Sequence, residues 1–128
     1  MNGGGIRVSD KVKLQVCITC LGDNKEKLGA EFYAALEEQV DRTKINLQPV
    51  ECFAVCKRQC TVAVSQPDKW LYMIGDLKID KDIPALFEYI KVYAASANGR
   101  PPIAQRPEMV QKGTIARLPP NINRNNEG

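Results

Sequence analysis

Val12-Lys13-Leu14-Gln15-Val16-Cys17-Ile18-Thr19-Cys20 decides how the chain is to be read. Val12, Leu14 and Val16 alternate with Lys13 and Gln15, the period of two that marks a half-buried strand, and that strand delivers Cys17 at its C-terminal end. Beyond it, Asp23 followed by Glu26 forms a capping box, and Leu28, Phe32, Leu36 and Val40 recur at helical spacing, which predicts a helix from about Asn24 to Arg42. The other face of that helix, Glu31, Glu37, Glu38 and Asp41, is acidic and expected in solvent. Ile45, Leu47 and, after Pro49, Val50 predict a second strand ending at Cys52. Pro49 argues against an interior, fully paired place for it.

The remaining elements follow from turn and cap chemistry. Thr61 to Val64 and Trp70 to Ile74 flank Ser65-Gln66-Pro67-Asp68-Lys69, whose Pro-Asp turn predicts an antiparallel hairpin. Ile83, Leu86, Phe87, Ile90, Tyr93 and Ala97 predict a last helix, with Asp82 as N-cap, Pro84 in the first turn and Gly99 past the end. Trp70, Tyr72 and Met73 are read as hairpin core. The order is βαβββα, an α/β mixed sheet in one domain over residues 12–98. Residues 1–11 read as a flexible leader and residues 99–128 as a Pro- and Asn-rich C-terminal extension. Ile103, Met109, Val110, Ile115 and Leu118 are enough apolar residues to wrap residues 99–118 on the domain, whereas the last ten residues, from Pro119, are expected to be disordered.

Composition narrows the chemistry. The chain of 128 residues has five cysteines and no histidine, which excludes zinc sites that use imidazole, Rieske-type centres and His-activated nucleophiles. A net charge of +3, with no concentrated basic face, gives no case for nucleic acid. No leader has an apolar core and no apolar run approaches the roughly 18 residues of a membrane span, so a cytoplasmic protein off the membrane is expected. In a reducing compartment clustered thiols gather around a thiophilic metal rather than in disulfides, and an odd cysteine count also argues against a secreted disulfide scaffold.

Two strands joined by a crossover helix are parallel, so their C-terminal ends share one sheet edge. Cys17 and Cys52 stand at those ends, with Cys20 and Cys56 in the loops that follow. Four thiols thus converge where open α/β sheets place their sites. Such a set suits zinc in S4 coordination or an iron-sulfur cluster. Cys17-x-x-Cys20 between strand and helix also fits a dithiol oxidoreductase, although Pro67 lies in the turn and not beside a strand facing Cys17. Cys60, at the head of an apolar strand, reads as a small core residue first and a ligand second.

The pattern strand, Cys17-x-x-Cys20, helix, strand, Cys52-x-x-x-Cys56, hairpin, helix resembles the thioredoxin-like 2Fe-2S ferredoxins. Val50-Glu51-Cys52 through Cys60-Thr61-Val62-Ala63, Lys69-Trp70, Gly75-Asp76-Leu77, Arg106-Pro107-Glu108 and Lys112 to Arg117 are similar to a bacterial cysteine-rich family of unknown function, described only as predicted metal-binding. The resemblance to the ferredoxins implies a thioredoxin-like fold, a 2Fe-2S cluster on Cys17, Cys20, Cys52 and Cys56, one-electron transfer or redox sensing in place of enzymatic turnover, a redox partner protein, and a homodimer. The first cysteine pair is closer together than in those ferredoxins, and Cys60 stands as substitute for Cys20. Lys57 and Arg58 beside Cys56 either offset the charge of the cluster and raise its potential or form a solvated loop pair.

Overall fold

The structure, a computed structural model, describes residues 11–19, 28–51 and 60–120. Strand β1 (Val12–Cys17), helix α1 (Leu28–Gln39), strands β2 (Ile45–Val50), β3 (Val62–Ser65) and β4 (Leu71–Ile74), and helix α2 (Ile83–Ala95) follow the expected βαβββα order. A 3-10 turn (Ile103–Gln105), helix α3 (Glu108–Gly113) and strand β5 (Thr114–Leu118) come after it. The sheet runs β2-β1-β3-β4-β5. β1 and β2 are parallel, and the remaining pairs are antiparallel.

Register separates two faces. Leu14 lies between Leu47 and Val64, and Val62 between Val16 and Ile74, so the apolar alternants of neighbouring strands line up. They form one core with Phe32 and Leu36 of α1 and with Ile83, Leu86, Tyr89, Ile90 and Tyr93 of α2. The alternate positions Lys13, Gln15, Asn46, Gln48 and Ser65 fall on the opposite face, where none is buried. Pro49, opposite Val16, sits on the edge strand β2, where its missing N–H leaves no gap in a ladder.

Helix boundaries depart from the periodicity for local reasons. The expected helix through Arg42 ends at Gln39, and its first residues, 24–27, lie outside the described residues. Past its end the Asp41 carboxylate accepts the Thr43 amide at 3.0 Å and the Thr43 hydroxyl at 2.5 Å, a turn that competes with further helix and holds the carboxyl below its usual range. Asp82 stands at the N-cap of α2 as expected, but its carboxylate accepts the Lys78 amide at 2.8 Å and fixes the preceding loop, with no side-chain cap bond to the helix. α2 stops at Ala95, before Ala97, because Ser96 turns extended. The Lys69 ammonium then meets the Ala94 carbonyl at 3.0 Å, a cation at the negative end of the helix.

The C-terminal segment belongs to the sheet. The sequence reading placed no strand here, yet β5 pairs with β4. Aromatic residues of β4 and the residue before it anchor the segment: the guanidinium groups of Arg100 and Arg117 lie 4.9 and 5.2 Å from the Trp70 ring centre, and that of Arg106 lies 5.6 Å from the Tyr72 ring.

Candidate metal centre

One edge of the sheet collects the chain ends that matter. Cys17 closes β1 opposite Val50, the last residue of β2, and Glu51, the residue before Cys52 in the chain, follows Val50 there. β3 runs the other way and begins at the same edge, where the Cys17 amide donates to the Thr61 carbonyl at 3.1 Å. Cys60, Thr61 and the start of α1 at Leu28 therefore share that edge with Cys17. Parallel pairing puts the C-termini of β1 and β2 on one side, and antiparallel pairing brings the start of β3 to the same side.

Cys17 is 3% exposed. Its sulfur lies 3.7 Å from the Glu51 carbonyl oxygen and 3.7 Å from the Thr19 hydroxyl oxygen. The Thr19 hydroxyl in turn donates to the Glu51 carbonyl. Cys60 has a different environment. It is 2% exposed, belongs to the apolar core, takes a left-handed backbone (φ 49°), and turns its thiol toward the Leu28 carbonyl at 3.8 Å. The sequence reading passed over Thr19 and Glu51; the signal available was a hydroxyl inside Cys17-x-x-Cys20 and a residue immediately before Cys52.

Cys20, Cys52, Cys56, Lys57 and Arg58 lie outside the described residues. Among the described residues no group of three or more acidic, histidine or cysteine side chains is placed to hold a metal ion. The donor set of the whole chain nevertheless fits a thiophilic centre. Cys17 is a buried sulfur at the end of β1, and its register partner Val50 lies two residues before Cys52 in the chain.

At the same edge, Lys78, Lys81 and Lys112 line a cleft with Asp76, Asp82 and Glu108. Three ammonium groups face three carboxylates, with Lys112 contacting Glu108 at 2.6 Å, so the cleft is charge-balanced. No helix among the described residues is long and apolar enough to cross a membrane.

The fold is thioredoxin-like. Two solved structures of a thioredoxin-like 2Fe-2S ferredoxin from Aquifex aeolicus match it. The wild-type structure does so with a TM-score of 0.52 and 18% identity, over 83% of this chain and 97% of its own. The second has a TM-score of 0.52 and 16% identity, over 88% of this chain and 97% of its own. At those identities the likeness is one of fold. None of the curated proteins compared with the chain matches it. Residues 14–120, which include the sheet from Leu14 onward, α1, α2 and the C-terminal strand, match the family described as protein of unknown function DUF1636, and the chain belongs to that family.

Proposed function

We propose that the protein is a small 2Fe-2S ferredoxin-like electron carrier or redox sensor, with Cys17, Cys20, Cys52 and Cys56 as ligands. The observation that supports the reading is the pairing of Cys17 with Val50 in parallel strands, so that β1 and β2 end together where Cys20 and Cys52 follow in the chain. The cluster supplies one-electron chemistry when bound. The polypeptide supplies sulfur donors, a buried strand end and hydrogen-bond donors around them. Burial of Cys17 also favours ligation over a dithiol oxidoreductase, whose attacking thiol must be open to a substrate disulfide. Cys60, packed in the core, keeps a structural role. The electron-transfer partner is a redox protein, and a cytoplasmic location and a homodimer belong to the same reading.

Purification without oxygen, followed by absorption spectroscopy and metal analysis, tests it. Charge-transfer bands, iron and labile sulfide in near-equal amounts and a rhombic paramagnetic signal on reduction are expected. A colourless protein with stoichiometric zinc overturns the electron-transfer reading in favour of metal binding. Thioredoxin-type turnover that survives loss of Cys52 and Cys56 overturns it in favour of dithiol chemistry.

A further inference from the structure

Three atoms from two chain segments meet at the end of β1. The Ile18 amide donates to the Val50 carbonyl at 2.9 Å, one step past Cys17. That step sets Thr19 beside Glu51, whose carbonyl accepts the Thr19 hydroxyl, and the Cys17 sulfur lies 3.7 Å from each of these two oxygens. The carbonyl belongs to the peptide that leads into Cys52. Thr19 thereby ties one cysteine-bearing segment to the other at a cysteine sulfur.

Donor counting decides what the triangle does. A carbonyl oxygen only accepts. A protonated Cys17 gives its own hydrogen to the Glu51 carbonyl, but a sulfur that ligates is a thiolate and only accepts. The Thr19 hydroxyl is then the one donor of the three atoms. We propose that Thr19 is a positioning residue of the centre, whose hydroxyl gives its hydrogen bond to the Cys17 sulfur when that sulfur ligates. The inference rests on the ligand role proposed for Cys17. A hydrogen bond to a ligating sulfur favours the more anionic reduced state, so Thr19 raises the reduction potential. Thr19 is exposed, so its replacement leaves the core as it is.

The test compares the reconstituted parent with Thr19→Val, which keeps the shape and removes the donor, and Thr19→Ser, which keeps the donor. Protein-film voltammetry is expected to give Thr19→Val a lower potential than the parent, by up to a tenfold change in the one-electron equilibrium constant, about 59 mV. Thr19→Ser should hold the parent value. Equal potentials for all three, or an equal drop in Thr19→Val and Thr19→Ser, would overturn the proposal. If Thr19→Val does not load, the parent decides by resonance Raman: a deuterium-sensitive iron-thiolate stretch that Thr19→Ser shares supports the bond, and an insensitive one removes it. If the parent takes zinc and no iron and sulfide, the cluster reading fails while this one is still tested, through zinc affinity. There Thr19→Val should bind roughly tenfold or more weakly than Thr19→Ser, in line with other outer partners of metal ligands, and equal affinities overturn the role. A parent that binds neither overturns both.

Discussion

The Cys17 amide donates to the Thr61 carbonyl at 3.1 Å at the end of the β1–β3 ladder, so Cys17 and Cys60 share one sheet edge while their sulfurs lie in different surroundings. Along β1, Cys17 alternates with Val16 and so leaves the helix-covered face, whereas Cys60 joins the core beneath Leu28. Nearness along the backbone does not make both thiols ligands.

Replacing Cys60 with alanine should therefore cost stability and spare the centre. Removing one buried sulfur from a packed site is expected to cost about 1 to 2 kcal/mol. Urea denaturation of the metal-free protein measures the first part and iron and sulfide content the second. Loss of the centre with unchanged metal-free stability would make Cys60 a ligand in place of Cys20.

The C-terminal segment depends on one backbone position. Gly99 has φ 79°, and a Cβ there would meet the Lys69 Cβ at 2.8 Å and the Trp70 amide nitrogen at 2.9 Å. Gly99→Ala combines a left-handed backbone penalty of about 1 to 2 kcal/mol with a contact that only movement of the segment relieves. The sole tryptophan, Trp70, reports the outcome, because Arg100 and Arg117 both lie over its ring. Gly99→Ala is expected to shift Trp70 emission to the red and lower the melting temperature. An unchanged emission maximum would show that the segment holds without this turn.

How much of this could be read from residues alone varies along the chain. Val12, Leu14 and Val16 announce β1 because one buried face and one solvated face force a period of two. Thr114 to Leu118 announce nothing: β5 is an edge strand with only half-buried and exposed residues, flanked by Pro119, and its pairing with β4 passes through an irregularity at Met73 and Ile74. Tyr89 completes the buried face of α2 between Leu86 and Tyr93, although the spacing read from Leu86, Ile90 and Tyr93 does not include it. The edge shared by Cys17 and Val50 follows from connectivity, since a crossover helix dictates parallel strands. Thr19 does not, because its role comes from a carbonyl remote in sequence, and no periodicity encodes a cross-strand neighbour.

The tyrosine cluster predicts an alkaline limit to stability. Tyr89 lies between Tyr72 and Tyr93, with ring centres 6.1 and 6.0 Å away. Burial pushes Tyr93 up to about 12, and it pushes Tyr89 up as well, with the neighbouring tyrosines adding to the effect. A raised folded value means that the unfolded chain loses its proton first, near pH 10. The Tyr93 contribution is therefore complete below about pH 10 and disappears as the pH rises through about 12. Its size is roughly 2 to 3 kcal/mol. The two sites should separate on mutation. Tyr93 donates to the Trp70 carbonyl at 2.5 Å, so Tyr93→Phe should cost about 1 kcal/mol. The Tyr89 hydroxyl has no hydrogen-bond partner among the described residues, so Tyr89→Phe should be neutral or stabilising. Equal losses in the two variants, measured by denaturant titration at pH 7, would contradict the assignment.

Lys57 and Arg58 follow Cys56 directly in the chain. In the proposed cluster, reduction would add one negative charge to a centre anionic through its thiolates, and nearby positive charge would stabilise the reduced state more than the oxidised one. The sign is fixed by that difference: neutralising the pair should lower the potential. Its salt dependence separates a local effect from a screened one, because charges beyond about 8 to 10 Å fade at physiological ionic strength. Voltammetry of a Lys57→Gln, Arg58→Gln double variant at low and at physiological salt is expected to show a lower potential than the parent at both, with the larger gap at low salt. A gap that vanishes at physiological salt would reduce the pair to distant solvated charges, and a higher potential would mean that the neighbouring backbone, and not the two cations, sets the electrostatics of the centre.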